Sequence, residues 1–99
     1  MAQDQVEYTL TASEYKLVTP SAVAEYTHQI ISGQVYVRYT SGGESSDRPA
    51  ATLKGNLWEG PAGEKLERID TFAPSIASGY VWMRAASKCG AIVVIGDDA

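Results

Sequence analysis

The sequence predicts an all-β protein, a small β-sandwich or jelly-roll-like barrel of seven to eight short strands with a duplicated strand unit. Two observations carry that expectation. The segment Ile30-Ile31-Ser32-Gly33-Gln34-Val35-Tyr36-Val37-Arg38-Tyr39-Thr40-Ser41 returns 46 residues later as Ile76-Ala77-Ser78-Gly79-Tyr80-Val81-Trp82-Met83-Arg84-Ala85-Ala86-Ser87, identical at six of twelve positions. Each copy is a Ser-Gly turn leading into a strand of β-branched and aromatic residues. The second observation is period-two alternation in short segments separated by turn-forming clusters, with no sustained helical period.

Taken in order, residues 1–5 are polar and read as a flexible arm, followed by a single domain over residues 6–99. Val6-Glu7-Tyr8-Thr9-Leu10 alternates as a strand, and a second short strand is expected at residues 15–18. Thr19-Pro20-Ser21 breaks the pattern. Residues 26–31 and 34–40 flank Ser32-Gly33, which suits a tight hairpin. Residues 41–49 are small, polar or breakers and form the clearest loop. A strand over residues 51–58, the turn Glu59-Gly60-Pro61-Ala62-Gly63 and an alternating segment over residues 65–69 follow. Pro74 suits an edge or linker before the second repeat copy. The chain then ends in an expected hairpin of residues 80–86 and 91–95, with Asp97-Asp98 as a solvated tail.

Ninety-nine residues make one domain. A chain of this size buries roughly 60–65% of its unfolded surface, which leaves stability marginal without help. Cys89 is the only cysteine, which excludes an intramolecular disulfide, and one histidine with one thiol falls short of a structural zinc set. Oligomerisation or docking on a larger assembly is the remaining source of stability. The net charge of −4, with eight basic residues scattered singly, argues against nucleic acid. The N-terminus lacks the basic start and apolar core of a signal peptide, and Ala91-Ile92-Val93-Val94-Ile95 is too short to span a membrane. Folding in a cytoplasm with Cys89 reduced is expected, with neither cofactor nor metal.

His28 lacks a sequence-near carboxylate or cysteine and reads as an ordinary surface or boundary residue. Cys89, beside Lys88 in a turn, reads as a tolerated thiol. Glu59, Glu64, Glu67 and Asp70 have no calcium-loop spacing and read as solvated charges that keep a strand edge from pairing. No catalytic set emerges.

The repeated aromatic–Arg pair is the remaining candidate. Alternation puts Val35, Val37, Val81 and Met83 on core faces and Tyr36, Arg38, Tyr80, Trp82 and Arg84 on the opposite faces. If the copies are neighbours, those five form one patch of residue types enriched at binding hot spots. The alternative is intramolecular, with a loop covering the rings and arginines packed on them.

The order of the pieces resembles a family of small β-rich virion proteins from tailed bacteriophages. The matching motifs are Tyr8-Thr9-Leu10-Thr11-Ala12, the Val35-Tyr36-Val37-Arg38 strand, the Gly60-Pro61-Ala62-Gly63-Glu64 turn, Val81-Trp82-Met83-Arg84-Ala85, and the terminal Ile92-Val93-Val94-Ile95. The resemblance implies a non-enzymatic virion component, a capsid decoration (cement) protein that binds the major capsid protein or another virion protein as a homo-oligomer, with a trimer favoured. A tail or head fibre domain is the alternative it leaves open, and the residues themselves leave open a carbohydrate-binding β-module with Tyr36, Tyr80 and Trp82 as a platform for sugar rings.

Overall fold

The computed structural model describes residues 3–19, 21–69 and 78–97. Eight strands are present: β1 (Gln3–Leu10), β2 (Lys16–Leu17), β3 (Glu25–Ser32), β4 (Gln34–Thr40), β5 (Asn56–Glu59), β6 (Lys65–Arg68), β7 (Tyr80–Ala85) and β8 (Ala91–Asp97). They form two four-stranded antiparallel sheets, ordered β1-β8-β3-β6 and β2-β7-β4-β5. Within those sheets β1 pairs with β8, β2 with β7, β3 with β6 and β4 with β5. The first four strands are thus matched against the last four in reverse order, and the paired ribbon is rolled so that successive pairs alternate between sheets. This is the eight-stranded jelly roll that the sequence expectation included.

The core lies between the sheets. Tyr26 and Ile30 of β3, Val35 and Val37 of β4, Val81, Met83 and Ala85 of β7, and Val93 and Ile95 of β8 are all buried. Those positions alternate along each strand, so the aliphatic faces read from the sequence are the inner faces. Tyr26 and Tyr39 meet across the interior, hydroxyl to hydroxyl at 2.8 Å, with rings edge-on at 79°. Burial raises both phenol pKa values, that of Tyr39 to about 12. Val35→Ala and Val37→Ala are each expected to cost about 1–3 kcal/mol, the lost methyl transfer plus an incompletely relaxed cavity. Losses of only a few tenths at both positions in a denaturant titration would contradict the assignment of faces.

The two repeat copies supply β4 and β7, the central strands of one sheet. They run antiparallel with Val37 directly opposite Met83, its counterpart in the repeat. Tyr36 therefore lies opposite Arg84, and Arg38 opposite Trp82. The start of the second copy, Ile76-Ala77, and the expected linker around Pro74 lie outside the described residues.

Several local expectations need correction. The arm expected over residues 1–5 does not extend to its last three residues: β1 begins at Gln3, paired with Asp97, and a register shift lies between Gln3 and Val6. The Gln5 side chain donates to the Glu64 carboxylate. Neither expected hairpin exists. Ser32-Gly33 links β3 to β4 in the other sheet, and residues 86–90 link β7 to β8 in the same manner. Both are corners of the sandwich, and Gly33 and Gly90 sit there at φ +85° and +81°. The one sequential pair within a sheet is β4–β5, joined by the 41–55 loop. That loop takes up most of the strand expected at residues 51–58, so β5 keeps only Asn56–Glu59. At the other end β8 continues to Asp97, which was expected in a solvated tail.

Candidate functional site

The aromatic–Arg residues do share one face, the outer face of the β2-β7-β4-β5 sheet, but the protein covers much of it itself. Trp82 is 2% exposed and Arg84 9%, while Tyr36, Arg38 and Tyr80 are half-buried. The segment before β2 swings Tyr15 over this face, and its hydroxyl donates to the Leu53 carbonyl at 2.6 Å. Arg84 lies between two rings, 5.3 Å from the centroid of Tyr15 and 5.0 Å from that of Tyr36. Its Nη1 donates to the carbonyls of Ala12 and Ala85. The Trp82 indole N–H donates to Thr40 Oγ1 at 2.7 Å. Arg48 of the 41–55 loop reaches over the Trp82 ring at 6.0 Å and pairs with Glu14 at 2.9 Å.

That loop is therefore a lid on the sheet. A short 3-10 turn at Ser45–Asp47, with reciprocal capping between Glu44 and Asp47, gives it internal structure. Arg38 donates to the Lys54 carbonyl and ties its far end down. Trp82 and Arg84 are consequently not available as surface contacts; cation–π packing and carbonyl bonds hold them inside the monomer. Of the two readings that alternation left open, Trp82 and Arg84 follow the covered one, while Tyr36, Arg38 and Tyr80 stay half-buried.

A different set of side chains converges at one flank of the sandwich, where β6 and β5 are the edge strands of the two sheets. His28 of β3 points inward there and is 4% exposed, which corrects its placement at the surface. Its ring stacks on Trp58 of β5, with centroids 4.1 Å apart and planes 13° from parallel. Glu67 of β6 places a carboxylate oxygen 3.7 Å from His28 Nε2, an electrostatic contact too long for a hydrogen bond. Neither ring nitrogen of His28 has a hydrogen-bond partner within the protein. Burying such a group without partners costs about 1–3 kcal/mol.

Around these side chains lies a recess of about 290 Å³, lined by His28, Ile30, Leu57, Trp58, Glu59, Ala62, Lys65 and Glu67. Strand pairing explains the assembly. β3 runs antiparallel to β6 with His28 opposite Lys65 and Tyr26 opposite Glu67, while Trp58 faces inward beside Val35. The β5–β6 link closes one end, its Ala62 N–H donating to the Ile30 carbonyl at 3.0 Å. Glu59 is oriented by the Gln34 side-chain amide at 3.2 Å.

Of the carboxylates read as solvated edge charges, Glu59 and Glu64 are exposed, but Glu67 is half-buried and turned into the recess; Asp70 lies outside the described residues. Cys89 is exposed. Among the described residues no group of three or more metal-ligating side chains comes together.

Burial is the main reason that the His28 pKa lies below its ordinary value, with Lys65 acting in the same direction and Glu67 opposing. The unfolded chain therefore takes up a proton at a higher pH than the folded one. Stability should fall as pH drops below the ordinary histidine value of 6.5, where the unfolded form alone is protonated, and the slope should end once the folded form is protonated too. His28→Gln is expected to remove that acid slope in urea titrations run across this range. An unchanged slope would show that another group carries it.

No family model matches the chain, and neither a curated protein nor a solved structure does.

Proposed function

We propose that this chain is a non-enzymatic structural protein of a virion, a capsid decoration protein that binds the outer face of a shell and stabilises it. The observation that carries the reading is the rolled-ribbon topology, β1-β8-β3-β6 over β2-β7-β4-β5, an architecture used by viral capsid domains and by lectins. Fold alone does not assign function. The order of sequence motifs resembling phage virion proteins supplies the second support.

The contact surface belongs at the flank formed by β5 and β6, because the aromatic–Arg face is occupied by the chain's own lid. Leu57 on β5 is 50% exposed and Leu66 on β6 59%, large apolar side chains that rim this flank on the outer faces of opposite sheets. Edge strands also present unpaired backbone groups to a partner. A homo-oligomer, a trimer by the resemblance, or the major capsid protein would cover them.

The test is co-sedimentation with tailed-phage shells stripped of their decoration protein, together with light scattering of the free protein. Binding to shells is expected, and Leu66→Asp should weaken it by more than about 1 kcal/mol while leaving the fold intact. A monomer that never sediments with such shells would overturn the proposal.

A further inference from the structure

We propose that the recess between β5 and β6 is a binding site for a single neutral sugar ring, held by His28, Trp58, Lys65 and Glu67. The recess itself carries this inference, independently of the shell reading. Its volume of about 290 Å³ stands at the small end of ligand pockets, roughly 300–1,000 Å³, which suits one ring rather than a chain.

His28 is the first reason to expect a ligand. It is 4% exposed, lines the recess, and has no hydrogen-bond partner within the protein at either nitrogen. A neutral imidazole offers one donor and one acceptor. Buried polar groups are nearly always satisfied, so a pair of unused ring nitrogens beside an open hollow points to an outside partner.

The class of ligand follows from the other groups. Glu67 accepts hydrogen bonds and Lys65 donates them, so the site presents both kinds of polar group. A carboxylate and an ammonium lining the same hollow disfavour both a simple anion and a simple cation. The remaining walls are apolar: Ile30, Ala62 and the Trp58 indole. Hydroxyls that both donate and accept, set around a ring with C–H faces, match that combination. Sugars are such molecules.

The experiment is a titration of the full chain with glucose, galactose, mannose, N-acetylglucosamine and N-acetylgalactosamine, followed by NMR of the indole and imidazole signals. Arginine and inorganic phosphate serve as charged probes. At least one sugar should produce saturable shifts at Trp58 and His28 while the buried Trp82 indole stays still. Glu67→Gln should weaken that binding tenfold or more, and the exposed Lys65→Ala provides a second variant should the first fail to fold. Binding should also be lost on acidification, when His28 takes a proton and its acceptor nitrogen disappears.

Absence of saturable shifts with all five sugars would overturn the proposal. So would sugar binding that survives in both variants, or saturation by arginine or phosphate in place of the sugars. Shell binding is decided by sedimentation, so the two readings fail separately.

Discussion

Trp82→Ala is expected to cost about 3–5 kcal/mol of folding stability, the range for removing a buried large aromatic. For a domain of this size that corresponds to a fall in Tm of more than about 10 °C. The ring is 2% exposed, so its removal opens a hollow between the sheet and the 41–55 loop. It also removes the indole N–H from which the Thr40 hydroxyl accepts, and the surface over which Arg48 lies. The loop should loosen together with the sheet, and faster amide exchange over residues 44–53 would report this. A surface tryptophan would behave differently, with stability nearly unchanged and association weakened. Differential scanning calorimetry separates the two, and a Tm within a few degrees of the wild type would show that the lid does not bury this ring.

The faces of the repeat were legible because alternation needs only the chain itself. Val35, Val37, Val81 and Met83 read as core positions and are core positions. What alternation leaves open is what lies on top of the opposite face. Nothing near Trp82 and Arg84 in sequence announces that Arg48 and Tyr15, both more than thirty residues earlier in the chain, pack against them. The aromatic–Arg pairing was visible, but whether its partner was the same chain or another molecule was decided by tertiary structure.

The recess was illegible for a related reason. His28 and Glu67 are brought together only by the pairing of β3 with β6, and Trp58 joins them from the other sheet. A strand-borne histidine with no carboxylate nearby in sequence gives no sign of this. Glu67 could have raised the suspicion. In an alternating segment it shares a face with Lys65 and Ile69, so an inward Ile69 brings the two charges inward with it.

The corners expose the limit of turn chemistry. In a hairpin centred on Ser32-Gly33, Ile30 would sit beside Val35 on one face of a single sheet. In the sandwich both residues face the same core from opposite sheets, as Tyr26 and Tyr39 do. The alternation is the same in both arrangements, and a glycine with positive φ serves either. Only the demand for two apolar faces to bury each other favours the corner.

Gly33→Ala is therefore expected to be far more damaging than a change in a solvent-exposed hairpin turn. Gly33 holds φ +85°, a region that costs an L-residue about 1–2 kcal/mol. A Cβ there would also stand 2.6 Å from the Gly90 carbonyl oxygen and 3.0 Å from the Ala91 Cβ, at the corner where β7 crosses to β8. Those obstacles are backbone and a short side chain, so relief requires the two corners to move apart. Overpacking of that kind costs about 1–3 kcal/mol, which gives a total of roughly 2–5 kcal/mol. Movement would disturb a third element as well, because the Gly33 carbonyl accepts from the Gly60 N–H at 2.9 Å and so anchors the link between β5 and β6. Gly63 is the control: it belongs to that same link, and a Cβ there would meet nothing within 4 Å. Gly63→Ala should be close to neutral in the same urea titration. Equal midpoints for the two variants would show that the corners do not press on each other.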